Sequence, residues 1–340
     1  MEPTALRSIG RTDVQVTQLG LGGGPFGRPE VADDAAFEAG EAAWQGGVRY
    51  YDTAPWYGRG MSEHRVGRFL RSRAGEPYIL STKVGRVLSA APDRQRDPGD
   101  PRGGPRDFKV LFDYTRDGIL RSFEDSLQRL GLTEIDLAIV HDLDRGFLSP
   151  QARMDAHTDQ LLTSGWETLL KLRAEGVVKA IGFGINEIGL MTRWLDRFDP
   201  DFFLVAGPYT LMEQGSLREE LARCVERGVG VIIGAVYGSG LLATGPAPGA
   251  RYMYNESTEE QLRRAGRLQE VCGSFDVPLA AAALQFPLGH PAVAAVIPGA
   301  RTGAEVEANL AHFRREIPAA LWDALRSEGL IDEEAPTPTS

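Results

Sequence analysis

Apolar positions along this chain collect into about eight short, nearly continuous runs, and most are followed by a segment with helical spacing. The runs are TQLGLGG, VRYYDTA, YILSTKV, IDLAIVH, VKAIGFGIN, FFLVAGPY, GVIIGAV and AAVIPGA. Runs this apolar and this short predict strands buried on both faces, as in a parallel sheet. Between them, residues 33–45, 62–70, 115–130, 159–175, 188–198, 217–227, 258–275 and 303–313 favour three- and four-residue spacing. In 118–130, Ile119, Leu120, Phe123, Leu127 and Leu130 share one face, which predicts an amphipathic helix. Ahead of the first run, LRSIGRTDVQV places two short runs around a Gly-Arg-Thr-Asp turn and predicts a hairpin.

Strand and helix alternating about eight times over about 300 residues predicts a (β/α)8 TIM barrel. A doubly wound sheet is the competing arrangement, and GLGGGPFG after the first run has the glycines for it. The next residues, RPEVADD, do not open a helix at once, and no acidic residue closes a βαβ unit, so the barrel is preferred. One domain is expected over residues 1–330. Two long loops, 87–108 and 241–257, are expected on the catalytic face, the first as a substrate flap or a disordered segment. Residues 331–340, including DEEAPTPTS, are expected as a flexible tail.

Composition narrows the partners. The chain has 340 residues, 42% of them hydrophobic and 25% charged, with a net charge of −10. An acidic chain repels nucleic acid and anionic lipid, so a small molecule is the expected partner. Cys224 and Cys272 lie in segments that read as helices, as small buried residues rather than a disulfide. No metal site is expected. No uninterrupted apolar stretch reaches the roughly 18 residues a membrane span needs, and no signal region opens the chain, so a cytoplasmic protein is expected.

Four polar residues stand at or just after the ends of the apolar runs. They are Asp52 and Tyr57 in VRYYDTAPWYG, Lys83 in YILSTKVG and His141 in IDLAIVHD. The C-terminal ends of parallel strands are where barrel enzymes do chemistry. A phenol ionises near pH 10, too high for free exchange at neutrality, and an adjacent ammonium is expected to lower that value. Lys83 would supply the ammonium, Asp52 would hold it charged and aimed, and His141 would hydrogen-bond a substrate oxygen. Such a set moves a proton on and off an alcohol or carbonyl, and needs a separate carrier for the electrons.

These segments resemble the aldo-keto reductase family. YDTAPWYG with GMSEHRVGRFL resembles the signature around its Asp and Tyr, STKVG the segment with its Lys, and DGILRSFEDSLQRLGLTEIDLAIVH the block ending in its His. The likeness spans roughly residues 5–330. It implies that Asp52, Tyr57, Lys83 and His141 are the catalytic tetrad. It also implies a barrel with an N-terminal hairpin plug and a nicotinamide dinucleotide bound without a Rossmann domain.

The same resemblance implies cofactor contacts. IGFGINE points to Asn186 for the nicotinamide carboxamide, with Ile185 where the family's serine stands. AVYGSGLLATG implies a pyrophosphate loop through Tyr237, Gly238, Ser239, Gly240 and Leu241; the family's stacking tyrosine aligns with Gly234. IPGARTGAEVEANL implies adenosine contacts through Gly299, Ala300, Arg301, Glu305 and Asn309. A carboxylate at 305 repels a 2′-phosphate, so NAD is expected, with NADP as the alternative. LGGGPFG, FDYTRDGILRSFEDSLQRLG and HDLDRG resemble the D-threo-aldose 1-dehydrogenase, L-fucose dehydrogenase and pyridoxal 4-dehydrogenase group. That implies oxidation of an aldose at its anomeric hydroxyl to a lactone, with Trp56 walling the pocket and Asp142 binding sugar hydroxyls. A carbonyl reductase or pyridoxal dehydrogenase with the same machinery, and a non-catalytic nicotinamide-binding subunit, are the other readings.

Overall fold

A computed structural model describes residues 1–91 and 108–338. Strands β1 (Leu6–Ser8) and β2 (Gln15–Thr17) pair antiparallel as the expected hairpin. Next come barrel strands β3 (Leu21–Gly22), β4 (Tyr50–Asp52) and β5 (Ile79–Val84), then a second hairpin of β6 (Arg86–Ser89) and β7 (Lys109–Phe112). Strands β8 (Leu137–His141), β9 (Ala180–Ile185), β10 (Phe202–Ala206) and β11 (Gly230–Gly234) follow. A short hairpin of β12 (Arg251–Tyr252) and β13 (Asn255–Glu256) precedes the last barrel strand, β14 (Val293–Ile297).

The eight barrel strands run parallel in the order β14-β11-β10-β9-β8-β5-β4-β3. Parallel bridges from Leu19 to Val296 and from Gly22 to Gly299 join the two edges. All eight apolar runs thus become barrel strands. The helices in chain order are α1 (Asp33–Gln45), α2 (Met61–Arg71), α3 (Arg116–Leu130), α4 (Gln151–Gln160), α5 (Trp166–Ala174) and α6 (Leu190–Leu195). They continue with α7 (Ala222–Arg227), α8 (Leu241–Thr244), α9 (Glu259–Ser274), α10 (Leu279–Gln285), α11 (Gly303–Arg314) and α12 (Ala319–Ser327). Thr115 caps α3 by accepting from Gly118 N, and Thr258 with Gln261 closes a capping box on α9. Among the described residues no single helix is long and apolar enough to cross a membrane.

The barrel interior explains why one end is left for chemistry. Ile9, Val14 and Val16 of the hairpin join Tyr50, Leu137, Ile139, Ala180, Phe202 and Ile232 in one buried cluster. The hairpin therefore plugs the end where the strands begin. Its turn needs glycine: Gly10 has φ +53, and a Cβ there would lie 2.4 Å from the Gly228 carbonyl oxygen. The opposite end, where the strands finish, carries Asp52, Lys83 and His141.

Three segments differ from the sequence expectation. The 87–108 loop begins inside β6 and runs up to β7, with Val87 opposite Leu111 and Ser89 opposite Lys109. Two four-residue stretches, RVLS and KVLF, pair there, and the long polar interval between them in sequence hid them. The expected flap itself lies mostly at residues 92–107, outside the described residues. Residues 241–257 hold α8 and the β12–β13 hairpin, whose turn uses Met253 (φ 46) and Tyr254 (φ 71). Residues 331–338, expected as a flexible tail, are held: Ile331 and Ala335 are buried, and Arg326 Nη2 donates to the Ala335 carbonyl and Thr337 Oγ1. Helix α10 gave no periodic signal because Leu279–Gln285 is buried on every face.

Candidate active site

Each predicted catalytic side chain arrives on a different element of the open end. Asp52 is the last residue of β4, Lys83 lies near the end of β5, and His141 ends β8. All three are 3% exposed or less. Tyr57 sits in the turn between β4 and α2, with its N–H donating to the Ala54 carbonyl and its carbonyl accepting from Ser62 N. That turn is pressed against Gly27, where a Cβ would stand 2.4 Å from the Tyr57 carbonyl carbon.

The four side chains form one cluster. Lys83 Nζ donates to Asp52 Oδ1 at 2.9 Å, Asp52 Oδ2 at 2.8 Å and the Thr53 carbonyl at 2.8 Å. Ser81 Oγ donates to Asp52 Oδ1 at 2.7 Å, so the carboxylate is fixed from two sides. The ammonium has three protons and three acceptors, so it faces Tyr57 through the ring, 4.7 Å from its centroid. The Tyr57 and His141 rings stand perpendicular, with centroids 5.9 Å apart.

The expected lowering of Tyr57 does not appear in the protein alone. Tyr57 is half-buried, and burial pushes its pKa well above 10, with the charges of Asp52, Tyr254 and Asp142 pushing the same way. Burial is the largest cause, and the Lys83 ammonium that was expected to oppose it is held by both Asp52 oxygens. The cation that pulls Tyr57 down is instead Arg86.

Arg86, which the sequence reading passed over, is 1% exposed. It follows Gly85, whose φ of +91 turns the chain out of β5 and into β6. Its Nη2 donates to Asp142 Oδ2 at 2.7 Å. The same oxygen is 3.3 Å from His141 Nε2. Asp142 Oδ1 accepts from Asn186 Nδ2 at 2.8 Å, and that amide also donates to Asp144 Oδ2 at 2.8 Å. Asp142, expected as a sugar ligand, has both oxygens committed to protein. Its backbone is strained at φ +42, as strand-end residues at functional sites often are. Burial, then the neighbouring Asp142 charge, raises Asp144 to about 6. Trp56 lines the same region, edge-on to Phe147 at 6.4 Å.

The residues expected to hold a dinucleotide form three groups. Asn186 directs its amide protons at two carboxylates, which leaves its Oδ1 as an acceptor. In the loop after β11, Gly238, Ser239 and Gly240 all have left-handed backbone, at φ 53, 61 and 109. Ser239 Oγ accepts from Tyr254 N at 2.8 Å, which ties this loop to the β12–β13 hairpin. Leu241 is buried. Tyr237 donates its hydroxyl to Asn309 Oδ1 at 2.9 Å, a bond that turns it toward α11. Gly299 lies on the bridge to Gly22, and Ala300 beside it is fully buried. Arg301 closes on Glu305: its Nε donates to Oε1 at 3.0 Å, its Nη2 to Oε1 at 2.5 Å and its backbone N to Oε2 at 2.8 Å.

Comparison with known proteins agrees with this architecture. The aldo/keto reductase family model matches residues 18–328. A pyridoxal 4-dehydrogenase of Microbacterium luteolum is 40% identical over 339 residues, covering 96% of this chain and 97% of that protein. A D-threo-aldose 1-dehydrogenase of a Pseudomonas species is 40% identical over 329 residues, covering 95% and 96%. Among solved structures, the holo form of an aldo-keto reductase from Bacillus halodurans aligns with a TM-score of 0.74 at 24% identity, covering 97% of each chain. Matched in sequence along nearly its whole length and in fold as a plugged eight-stranded barrel, the chain belongs to the aldo/keto reductase family.

Proposed function

We propose that this NAD(P)-dependent oxidoreductase oxidises an aldose at its anomeric hydroxyl to the lactone, and that it prefers NAD. The observation that carries the chemistry is the compact set of Tyr57, His141 and the Asp52–Lys83 pair at the open end of the barrel. Tyr57 takes the hydroxyl proton as the carbon–oxygen double bond forms, and His141 holds that oxygen. The dinucleotide, when bound, supplies the hydride acceptor. In the reverse direction Tyr57 returns the proton to a carbonyl. Trp56 walls the pocket.

The residues present suit a dinucleotide. Asn186 Oδ1, with the amide nitrogen spent on Asp142 and Asp144, would accept from the carboxamide amine. Three successive left-handed residues at 238–240 make the kind of concave backbone that takes phosphate oxygens, and the direction of a Cβ on Gly240 is open space. Asn309, bound to Tyr237, would take the adenosine end with Gly299 and Ala300. The cation at 301 is already paired with Glu305, which supports NAD over a 2′-phosphorylated dinucleotide.

The relative named for pyridoxal is as similar as the one named for aldoses, so pyridoxal oxidation is the second reading. Absorbance of the reduced nicotinamide separates them, using NAD+ and NADP+ each with L-fucose, D-arabinose, L-galactose and pyridoxal. Turnover of the sugars with NAD+ is the expected result. Turnover of pyridoxal alone selects the second reading.

A further inference from the structure

The guanidinium of Arg86 has more donors than the protein uses. Nη2 is spent on Asp142, while Nε and Nη1 have no hydrogen-bond acceptor among the described residues, although the side chain is wholly buried. The Tyr114 hydroxyl is nearby but donates to the His141 carbonyl at 2.6 Å and lies outside hydrogen-bond geometry with the guanidinium. Buried donors in native proteins are nearly always satisfied, so two open positions on one cation ask for a partner.

The surroundings say what kind. Phe147, Trp56 and Phe112 lie 4.4, 4.8 and 4.9 Å from the guanidinium carbon, measured to their ring centroids. Aromatic rings satisfy the faces of a guanidinium and leave its edges for hydrogen bonds. One edge meets Asp142 Oδ2, which is also 3.3 Å from His141 Nε2. Arg86 and the imidazole that holds the reacting oxygen therefore converge on one carboxylate oxygen. A substrate oxygen on His141 would place the next polar group of the same molecule beside Arg86.

We infer that Arg86 determines specificity by hydrogen-bonding a second substrate oxygen, carried one or two carbons from the reacting carbon. A sugar has such an oxygen at C2, and pyridoxal has one on its ring. The inference rests on the oxidoreductase reading of this site and deepens it. A guanidinium N–H fits a hydroxyl or phenolate oxygen, and a substrate lacking that oxygen leaves the donor buried and unmet, which is how a site rejects an analogue.

The test uses two aldehydes of nearly the same shape, 2-hydroxypropanal and 2-methylpropanal, reduced by the full-length enzyme with NADH. Wild type is expected to favour the hydroxy compound in kcat/KM, and Arg86→Met is expected to collapse that ratio by on the order of 100-fold. Arg86→Lys, which restores one donor, should recover part of it. No preference in wild type, or an unchanged ratio in Arg86→Met whatever the absolute rates, overturns the inference. Arg86→Met leaves Asp142 buried without its partner, so Arg86→Met/Asp142→Asn serves if the single variant does not fold. L-Fucose and pyridoxal are assayed alongside: inactivity with both defeats the proposed substrate class while the aldehyde ratio still decides the role of Arg86.

Discussion

Lys83 Nζ holds both carboxylate oxygens of Asp52, at 2.9 and 2.8 Å, with each side chain 2% exposed. Burial this complete makes the two charges interdependent. Removing one strands the other in a low-dielectric interior, at a cost of about 3–5 kcal/mol. Lys83→Met and Asp52→Asn should each lower the unfolding midpoint in thermal or denaturant melts. The double variant Asp52→Asn/Lys83→Met should be more stable than the sum of the single effects predicts. Strict additivity would mean that the two groups are not coupled as the geometry indicates.

Tyr57 carries a pH signature whose sign follows from its raised pKa. At neutral pH burial keeps the phenol protonated, which suits it to donate a proton in carbonyl reduction and leaves it poor at accepting one. Oxidation of an alcohol should therefore speed up as pH rises through the alkaline range. Reduction should stay level through neutrality and fall only at high pH. Steady-state kcat/KM in both directions between about pH 6 and 10 reads this. Oxidation falling as pH rises would contradict it.

Cofactor preference turns on the Arg301–Glu305 pair. The Glu305 carboxyl is partly buried, which acts to raise its pKa, but the hydrogen bonds and charge of Arg301 hold it below the usual range. It is therefore anionic at neutral pH and keeps Arg301 occupied. Glu305→Ala should release that guanidinium, and Glu305→Arg should add a second cation. Each is expected to raise the NADP/NAD ratio of kcat/KM by about 10-fold or more. An unchanged ratio would separate this pair from the ribose.

His290 should shape stability on the acid side. Burial lowers its pKa from 6.5 to about 4, and its Nδ1 accepts from Ala292 N. Between these values the unfolded chain takes up a proton that the folded protein resists. The contribution is complete above pH 6.5 and is lost as pH falls toward 4. His290→Gln should show a shallower loss of unfolding midpoint over that interval; a parallel loss would assign the acid sensitivity to other groups.

The barrel was legible because every strand is a short apolar run in a parallel sheet, a pattern with little ambiguity. The cluster of Asp52, Tyr57, Lys83 and His141 was legible because each polar residue interrupts or follows such a run. Arg86 was not, because it reads as the first charge of a polar loop. Only the β6–β7 pairing and the three aromatic rings show that it is interior. The direction of the Tyr57 pKa was also hidden. A Lys near a Tyr suggests acidification, but sequence order does not reveal that Asp52 takes up the ammonium so fully. Helix α10 escaped for the opposite reason, being apolar all round.

The most direct measurement is the single-turnover rate of nicotinamide reduction by Tyr57→Phe, with dinucleotide affinity measured on the same protein. The phenylalanine keeps the ring packed against Lys83 and His141 and removes only the hydroxyl. The account predicts a loss of about 10³-fold or more in rate with dinucleotide affinity within a few-fold of wild type. A variant that turned over at near wild-type rate would show that the proton travels by another route.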